Sequence, residues 1–432
     1  QTETATHRGA MTMTHPQLIL QNRSEDQTIT LDAYRRSGGY EGLARALKDH
    51  SPGEVRKIVL DSGLRGFGGA GFPAGRKWDS IGEDAPFPRY VIANVDEREP
   101  GTFKDRVLVS VNPHTLLEGM IIASYAVSSE KGYFFIRPSY DGVARIFEKA
   151  LNEAREAGFV GKHINGSAHT FDVVVHRSAG RYICGESAGL IHALEGKRPH
   201  PNIEGRLTTG GLWGKPTIVN NAETLSYVPH ILRNGSQWFR NLGRNEGAPG
   251  NKIYSVSGRV NRPGVFELPF GTSLREIIEE HAGGMKAGYD YKTCLPGGAA
   301  TRFLPRQFYD IDMDFDSMKK IGHRMGTGAI VVFDQKTCLV GAALNLIQFF
   351  TRESCGWCTP CREGLPFIRD LLWRIENGEG KKEFIPMLSD MCGHMSKAYC
   401  AFAPGAAAPV ESLLEDFADE VHEHIHQGKC PF

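Results

Sequence analysis

Apolar and polar positions alternate along this chain with two different periods. "GEVRKIVLDS" (53–62) carries helical spacing, and "GLRGFGGAGFPAGRKW" (63–78) follows as a glycine-dense loop with almost no helix or strand character. Then come short runs rich in β-branched and aromatic residues, "RYVIANVD" (89–96), "GYFFIRPSY" (132–140) and "TFDVVVHRS" (170–178), each predicting a strand. Between them "HTLLEGMIIASYAV" (114–127) and "GVARIFEKALNEAREAG" (142–158) predict helices. Strands alternating with helices imply parallel βαβ units with right-handed crossovers, so an α/β domain is expected.

The pattern changes near residue 250. "NKIYSVSGRV", a turn at "NRPG", "VFELPFG", the helix "SLREIIEEHAGG" and later "GAIVVFD" (328–334) predict a compact α+β module. From residue 338 the period is helical throughout. "EGLPFIRDLLWRIENGEG" places Leu365, Ile368, Leu372 and Ile375 on one stripe, and "VESLLEDFADEVHEHIHQG" does the same with Leu413, Phe417, Val421 and Ile425. The expected division is an N-terminal extension and helix over 1–60, the α/β domain over 61–248, the α+β module over 249–335 and a helical domain over 336–432.

Composition narrows the class. The 432 residues suffice for several domains with their own cores. Lys plus Arg and Asp plus Glu both total 50, so zero formal net charge gives no support for a nucleic-acid partner. Neutral charge also keeps neighbours apart poorly, which points to a subunit of a complex. Apolar runs such as "LVGAALNLIQFF" (339–350) fall short of the roughly 20 residues of a membrane span, so no direct membrane insertion is expected. No basic flank followed by an apolar segment marks a secretory signal, and the ten residues before Met11 are set aside. Nine cysteines, six of them after residue 354, are unlike a secreted disulfide framework and fit a cytoplasmic setting.

"ESCGWCTPCREG" (353–364) places Cys355, Cys358 and Cys361 in a C-x2-C-x2-C run. Gly356 and Pro360 permit the tight turn that points three sulfurs inward, and three thiolates so placed can occupy three corners of an iron-sulfur cluster. The fourth ligand must come from Cys392, Cys400 or Cys430. A four-cysteine zinc site is the weaker alternative, because such sites usually pair two separated C-x2-C units. A cluster passes single electrons, so the chain should also hold something that gathers them.

Gly66, Gly68 and Gly71 make G-x-G-x-x-G, flanked by Arg65, Arg76 and Lys77, a candidate cradle for the phosphate of a flavin or nucleotide. Asn94, Asp96, Glu97 and Glu99 follow the first strand, where open α/β sheets bind ligands. "GESAG" (185–189) matches a hydrolase nucleophile elbow at Ser187, between a strand-like "RYIC" and a helix. No oxyanion-type glycine run accompanies it, and a hydrolase would leave the cysteines unexplained. His422 and His426 lie four apart on one helical face, a candidate metal pair with no third ligand evident, and a solvated face is the expected reading.

Taken together, "GLRGFGGAGFPAGRKW", "NVDEREPGTFKDR", "AGRYICGE", "GLWGKPTIVNNAET" and "ESCGWCTPCREG" make the chain from about residue 30 onward resemble the NADH-binding flavoprotein subunit of respiratory complex I. The ending "CAFAPGA…GKCPF" is most similar to the bacterial branch, and the same fold family serves NAD-linked hydrogenases and formate dehydrogenases. The resemblance implies a Rossmann-like parallel-sheet domain holding FMN, a ubiquitin-like module of the SLBB type and a C-terminal helical bundle carrying a 4Fe-4S cluster. It implies hydride transfer from NADH to FMN and single-electron release to the cluster. Gly66, Gly68, Gly69, Gly71, Lys77, Asn94, Asp96, Gly185, Glu186, Asn220 and Asn221 would surround FMN, with Glu99, Tyr182 and Ser187 near the nicotinamide nucleotide. Cys355, Cys358, Cys361 and Cys400 would hold the cluster, Cys400 because it precedes the "APGA" segment. Implied partners are a thioredoxin-like 2Fe-2S subunit and a large iron-sulfur subunit, with the assembly peripheral to the cytoplasmic membrane.

The chain departs from the family pattern at Phe67, Val95, Ser187 and the segment "NIEGRLTTGG" (202–211). Ser187 stands where an acid would repel a 2′-phosphate, with Arg198 and Arg206 nearby. Relaxed or switched use of NADPH is therefore one alternative expectation. An electron-relay subunit without nicotinamide binding is another.

Overall fold

The computed structural model describes residues 15–21, 27–202 and 205–432. Residues 1–10, set aside above, and Ile203 and Glu204 of the altered segment lie outside the described residues. Strands β1 (Tyr90–Val95), β2 (Lys131–Ile136), β3 (Asp172–Arg177) and β4 (Thr217–Asn221) form an all-parallel sheet in the order β3-β2-β1-β4. β1 is apolar on both faces because it is covered on both, as central parallel strands are. Its Asn94 lies opposite Phe135 on one side and Asn221 on the other. The chain leaves β1 toward β2, and β4 lies on the opposite flank. The crevice at the carboxyl ends of β1 and β4 is thus the switch point where such sheets bind ligands.

Caps fix the helices that pack on this sheet. The Asn112 side chain accepts from Thr115 N to start Pro113–Ala126, and Asn221 accepts from Glu223 N to start Ala222–Asn234. Within the expected loop 63–78, residues Ala74–Asp79 are helical instead. Tertiary packing overrides the local glycine content there: Trp78 is fully buried, and a Cβ on Gly75 would meet Leu60 Cα at 2.4 Å.

The second sheet is mixed, with β5 (Asn251–Gly258), β6 (Gly264–Pro269), β7 (Tyr291–Leu295) and β8 (Ala329–Asp334) in the order β6-β5-β8-β7. β5 and β6 form the expected hairpin, and β5 runs parallel to β8. One continuous core joins the two sheets, from Val91 and Ile121 to Tyr254 and Ile330. The helices Leu339–Glu353, Thr359–Glu376, Phe384–Met395, Phe402–Asp416 and Ala418–Gln427 share a second core, which Leu295 and Phe303 enter from the β7 side. The single helix expected near the C-terminus breaks at Phe417, whose φ of −132° is not helical, so Val421 is buried while Phe417 and Ile425 are only half-buried.

Among the described residues no single helix is long and apolar enough to cross a membrane. The pair Lys104–Val111 and Pro113–Ala126 passes by length and composition but is bent by 97°, and most of its residues belong to the protein core.

Candidate functional site

A cavity of about 370 Å³ opens at the carboxyl ends of β1 and β4, within the range of small cofactor sites. Gly68 and Gly69 line it from the glycine loop. A Cβ on Gly68 would approach Asn221 Cβ at 3.2 Å, and Gly69 has φ +118°, so the bare backbone is what admits a ligand on this wall. Gly66 and Gly71 do not line the cavity but shape the loop: Gly71 N donates to Gly66 O, and a Cβ on Gly71 would meet the Phe315 ring at 2.7 Å. Phe67, one of the departures, is fully buried against Tyr227 and Phe270, with Lys252 Nζ 4.9 Å above its ring.

The end of β1 carries polar groups that hold one another. Asn94 Nδ2 donates to Gly185 O at 2.9 Å, tying the strand to the turn that carries Glu186 and Ser187. Asp96 is nearly buried and paired with Arg98 at 2.8 Å; burial raises its pKa, against the pull of Arg98. Asn221 donates to Asp105 Oδ2 at 2.7 Å and accepts from Lys104 Nζ at 3.2 Å. Burial disfavours the Lys104 ammonium, but Asp105, Glu223 and Glu97 outweigh it and hold its pKa above the ordinary range. A charged lysine at the cavity beside glycine amides suits a phosphate.

Two other expected contacts face elsewhere. Lys77 Nζ donates to Val219 O at 2.9 Å, with its pKa lowered by burial, and Asn220 Oδ1 accepts from Trp78 Nε1 at 2.9 Å; neither lines the cavity.

"RYIC" is no strand: Tyr182–Gly185 is a 3₁₀ turn leading into the helix Ser187–Leu194. The nucleophile-elbow reading of Ser187 therefore loses its strand-turn-helix frame. Glu186 caps this helix, accepting from Ala188 N and Gly189 N at 2.9 Å each, while Ser187 lines the cavity. Arg198 turns instead to Cys355 O at 2.7 Å, and neither it nor Arg206 lines the cavity.

Glu99 is a polar bridge of the site, beside the Thr102–Thr327 hydroxyl pair. It accepts from Tyr182 Oη at 2.5 Å and from Ala300 N at 2.6 Å, joining the first sheet to the loop after β7. Burial pushes its pKa up to about 7, against the hydrogen bonds from Tyr182 and Ala300. Glu97, held by the amides of Asp105 and Arg106, is likewise pushed up to about 7 by burial and by Asp105.

Sequence reasoning missed the opposite wall, which Gly297, Ala300, Arg324 and Thr327 supply from the second sheet's loops, and also missed Lys104. The signals were present as "PGGAAT" (296–301) and "RMGTG" (324–328), two glycine clusters like the one at 66–71.

Cys400 lines the far end of the same cavity with Ala401 and Phe402. It lies near enough to Cys355 and Cys358 for their charges to raise its pKa, which burial has already lifted, to about 11; Cys361, raised to about 12 chiefly by burial, feels all three. Cys392 is buried apart from them, beside Glu411 and Glu415, and Cys430 lies beside Cys338. No three of the four grouped sulfurs lie within 4.8 Å of one another, so they are spaced too widely for one ion. Four cysteine sulfurs grouped more widely than one ion allows suit the corners of a cuboidal cluster, whose iron would take their protons' place, better than the alternative zinc site. The candidate pair His422 and His426 is exposed, as expected of a solvated face, and belongs to no group of metal-ligating atoms among the described residues.

Residues 59–230 match the family model described as the Nuo51 FMN-binding domain, residues 253–299 an SLBB domain, and residues 341–424 the NADH-ubiquinone oxidoreductase-F iron-sulfur binding region. The chain is 46% identical over 418 residues to the F-type subunit of NADH-quinone oxidoreductase in Salmonella typhimurium and to that in Escherichia coli, covering 96% of this chain and 94% of each relative. It is 43% identical to a second F-type subunit of NADH-quinone oxidoreductase in Rhizobium meliloti, over 96% of this chain and 99% of that one. A solved NAD+-reducing [NiFe]-hydrogenase in the H2-reduced state superimposes with a TM-score of 0.79 at 32% identity over 89% of this chain. This chain spans 63% of that hydrogenase chain.

Proposed function

The chain belongs to the NADH-quinone oxidoreductase-F family, and on that premise we propose that it is the electron-input subunit of a complex I-like NADH:quinone oxidoreductase. The observation that carries this reading is the single cavity that begins at the glycine loop and ends at Cys400. FMN bound there supplies hydride acceptance from NADH and release of electrons one at a time to a 4Fe-4S cluster.

The residues of the chain bind, orient and shield. Gly68, Gly69 and Lys104 would hold the phosphate end, and Asn94, Asp96, Gly185, Glu186 and Asn221 the remainder of FMN. Glu99, Tyr182 and Ser187 would face the nicotinamide nucleotide. No side chain needs to act as acid or base, because hydride would pass directly between the two bound rings. Tyr182 packs edge-on against Phe349, Phe350 and Phe402, which keeps water from the stretch between cavity and cysteines. Cys355, Cys358, Cys361 and Cys400 would ligate the cluster.

The relatives are subunits by name, and a thioredoxin-like 2Fe-2S subunit and a large iron-sulfur subunit are the partners proposed here, holding the chain at the cytoplasmic face of the membrane. Exposed Trp357 and Tyr399 support a docking face, since both sit in the segments that carry the cysteines. The test is the anaerobically purified chain: flavin, iron and labile sulfide together, with flavin absorbance bleached by NADH, support the reading. A chain with both groups that NADH leaves unbleached supports the relay reading instead.

A further inference from the structure

We propose that the chain carries a second, mononuclear metal site, a structural zinc site formed by Cys338 Sγ, Glu376, His424 Nε2 and Cys430 Sγ. Among the described residues these four alone bring three or more metal-ligating atoms within 4.8 Å of one another. Cys338 Sγ lies 3.3 Å from Glu376 Oε2 and 3.3 Å from His424 Nε2, and His424 Nε2 lies 3.3 Å from Glu376 Oε2. Tetrahedral zinc with ordinary bond lengths needs ligand separations of about 3.4–3.8 Å. Those three ligands are therefore within a few tenths of an ångström of a coordination shell, and Cys430 Sγ lies within 4.8 Å of each of them.

The hydrogen-bonding arithmetic favours an ion. His424 is fully buried, and its Nδ1 lies 2.6 Å from Glu420 O, a carbonyl that can only accept. A ring proton is therefore on Nδ1, and the neutral ring in that tautomer presents Nε2 as a ligand atom toward a carboxylate and a sulfur. Gly341 N already donates to Cys338 Sγ at 3.1 Å. One thiol proton on Cys338 can serve Glu376 or His424 but not both, whereas a dication serves all four groups. Binding would release the thiol protons of Cys338 and Cys430 to solvent and leave His424 neutral.

Two sulfurs, one imidazole and one carboxylate select zinc over magnesium or calcium, which take shells of oxygen. The surroundings hold the ligands in place. Lys292 Nζ pairs with Glu420 at 2.6 Å, donates to Thr337 O at 2.7 Å beside Cys338, and lies 4.4 Å above the Phe432 ring. The four ligands are the residue that caps one helix (Cys338), one residue from each of two others (Glu376 and His424) and one in the tail after the last (Cys430), so one ion would fasten the C-terminus to the helical bundle.

The test uses the full chain purified with flavin and cluster, incubated with zinc sulfate, desalted and analysed for metals. One zinc per chain is expected, with sulfur at about 2.3 Å and nitrogen or oxygen at about 2.0 Å in zinc K-edge absorption. Cys430→Ser, and independently Cys338→Ser, should lose that zinc while iron, sulfide and flavin stay at wild-type amounts; Cys392→Ala should keep it. Zinc at background in the wild-type chain, zinc retained in full by both serine variants, or a Cys338–Cys430 disulfide found by peptide mass spectrometry would overturn the proposal.

Discussion

The two walls of the cavity are built on different terms. The wall at the ends of β1 and β4 is a lattice of mutual hydrogen bonds, Asn94 to Gly185, Asn221 to Asp105 and Lys104 to Asn221, fixed on buried strands and a capped helix. The facing wall comes from loops of the second sheet and meets the first at the Glu99 carboxylate, at the Thr102–Thr327 hydroxyl pair 2.6 Å apart and where Ala299 N donates to Pro100 O. Its glycines are positioned by crowding: a Cβ on Gly298, at φ +94°, would stand 2.6 Å from Glu99 Cγ. The first wall is therefore rigid by redundancy. The second is held by a few links across a joint, with Glu99 the buried ionisable group among them, so changes on the two should have different consequences.

The largest expected effect lies at the exit that both walls share. Cys358→Ser should remove cluster iron and lower electron delivery to a cluster-dependent acceptor by about 100-fold or more, while bleaching of flavin by NADH persists. Iron content and anaerobic spectra check it, and loss of flavin as well would mean the walls do not hold without the cluster.

Glu99→Gln tests the bridge through pH. The folded pKa of Glu99 is about 7 against an ordinary 4.5, so between those values the folded chain keeps a proton that the unfolded chain has released. The stabilising contribution is full below about pH 4.5 and is lost as pH rises through 7. The glutamine variant should thus gain about 3 kcal/mol over wild type at pH 8 and less than about 1 kcal/mol at pH 5. Denaturant melts at the two pH values measure it; an equal gain at both would show that Glu99 does not hold its proton in the folded chain.

Gly298→Ala presses on Glu99 from the loop side and should raise the KM for NADH about tenfold with flavin content unchanged, the scale of a small misplacement in a bound substrate. Steady-state kinetics would show it. Smallest is Ser187→Glu, which should lower NADPH use relative to NADH about threefold by charge repulsion in a partly solvated cavity; an unchanged ratio would place Ser187 away from the 2′ position.

Much of the first wall was legible in the sequence because its parts are contiguous: "RYVIANVD" reads as a strand, and the glycines, the acids after it and the C-x2-C-x2-C run are local patterns. β4 and β7 were not read as strands, since "TIVNN" and "YKTCL" are short and lack a clean period. The opposite wall was missed because its residues lie some 200 positions away, and only the topology brings Ala300 to Glu99. His424 was passed over in favour of exposed His422 and His426, because i, i+4 spacing reports a shared face and not whether that face is buried.

The central claim is that electrons entering the cavity leave through the cysteine set. Freeze-quenched electron paramagnetic resonance of the anaerobic chain after mixing with NADH tests it most directly. A reduced 4Fe-4S signal should follow flavin bleaching in wild type and be absent in Cys358→Ser. Flavin that bleaches in wild type while the cluster stays oxidised, although dithionite reduces it, would contradict the claim.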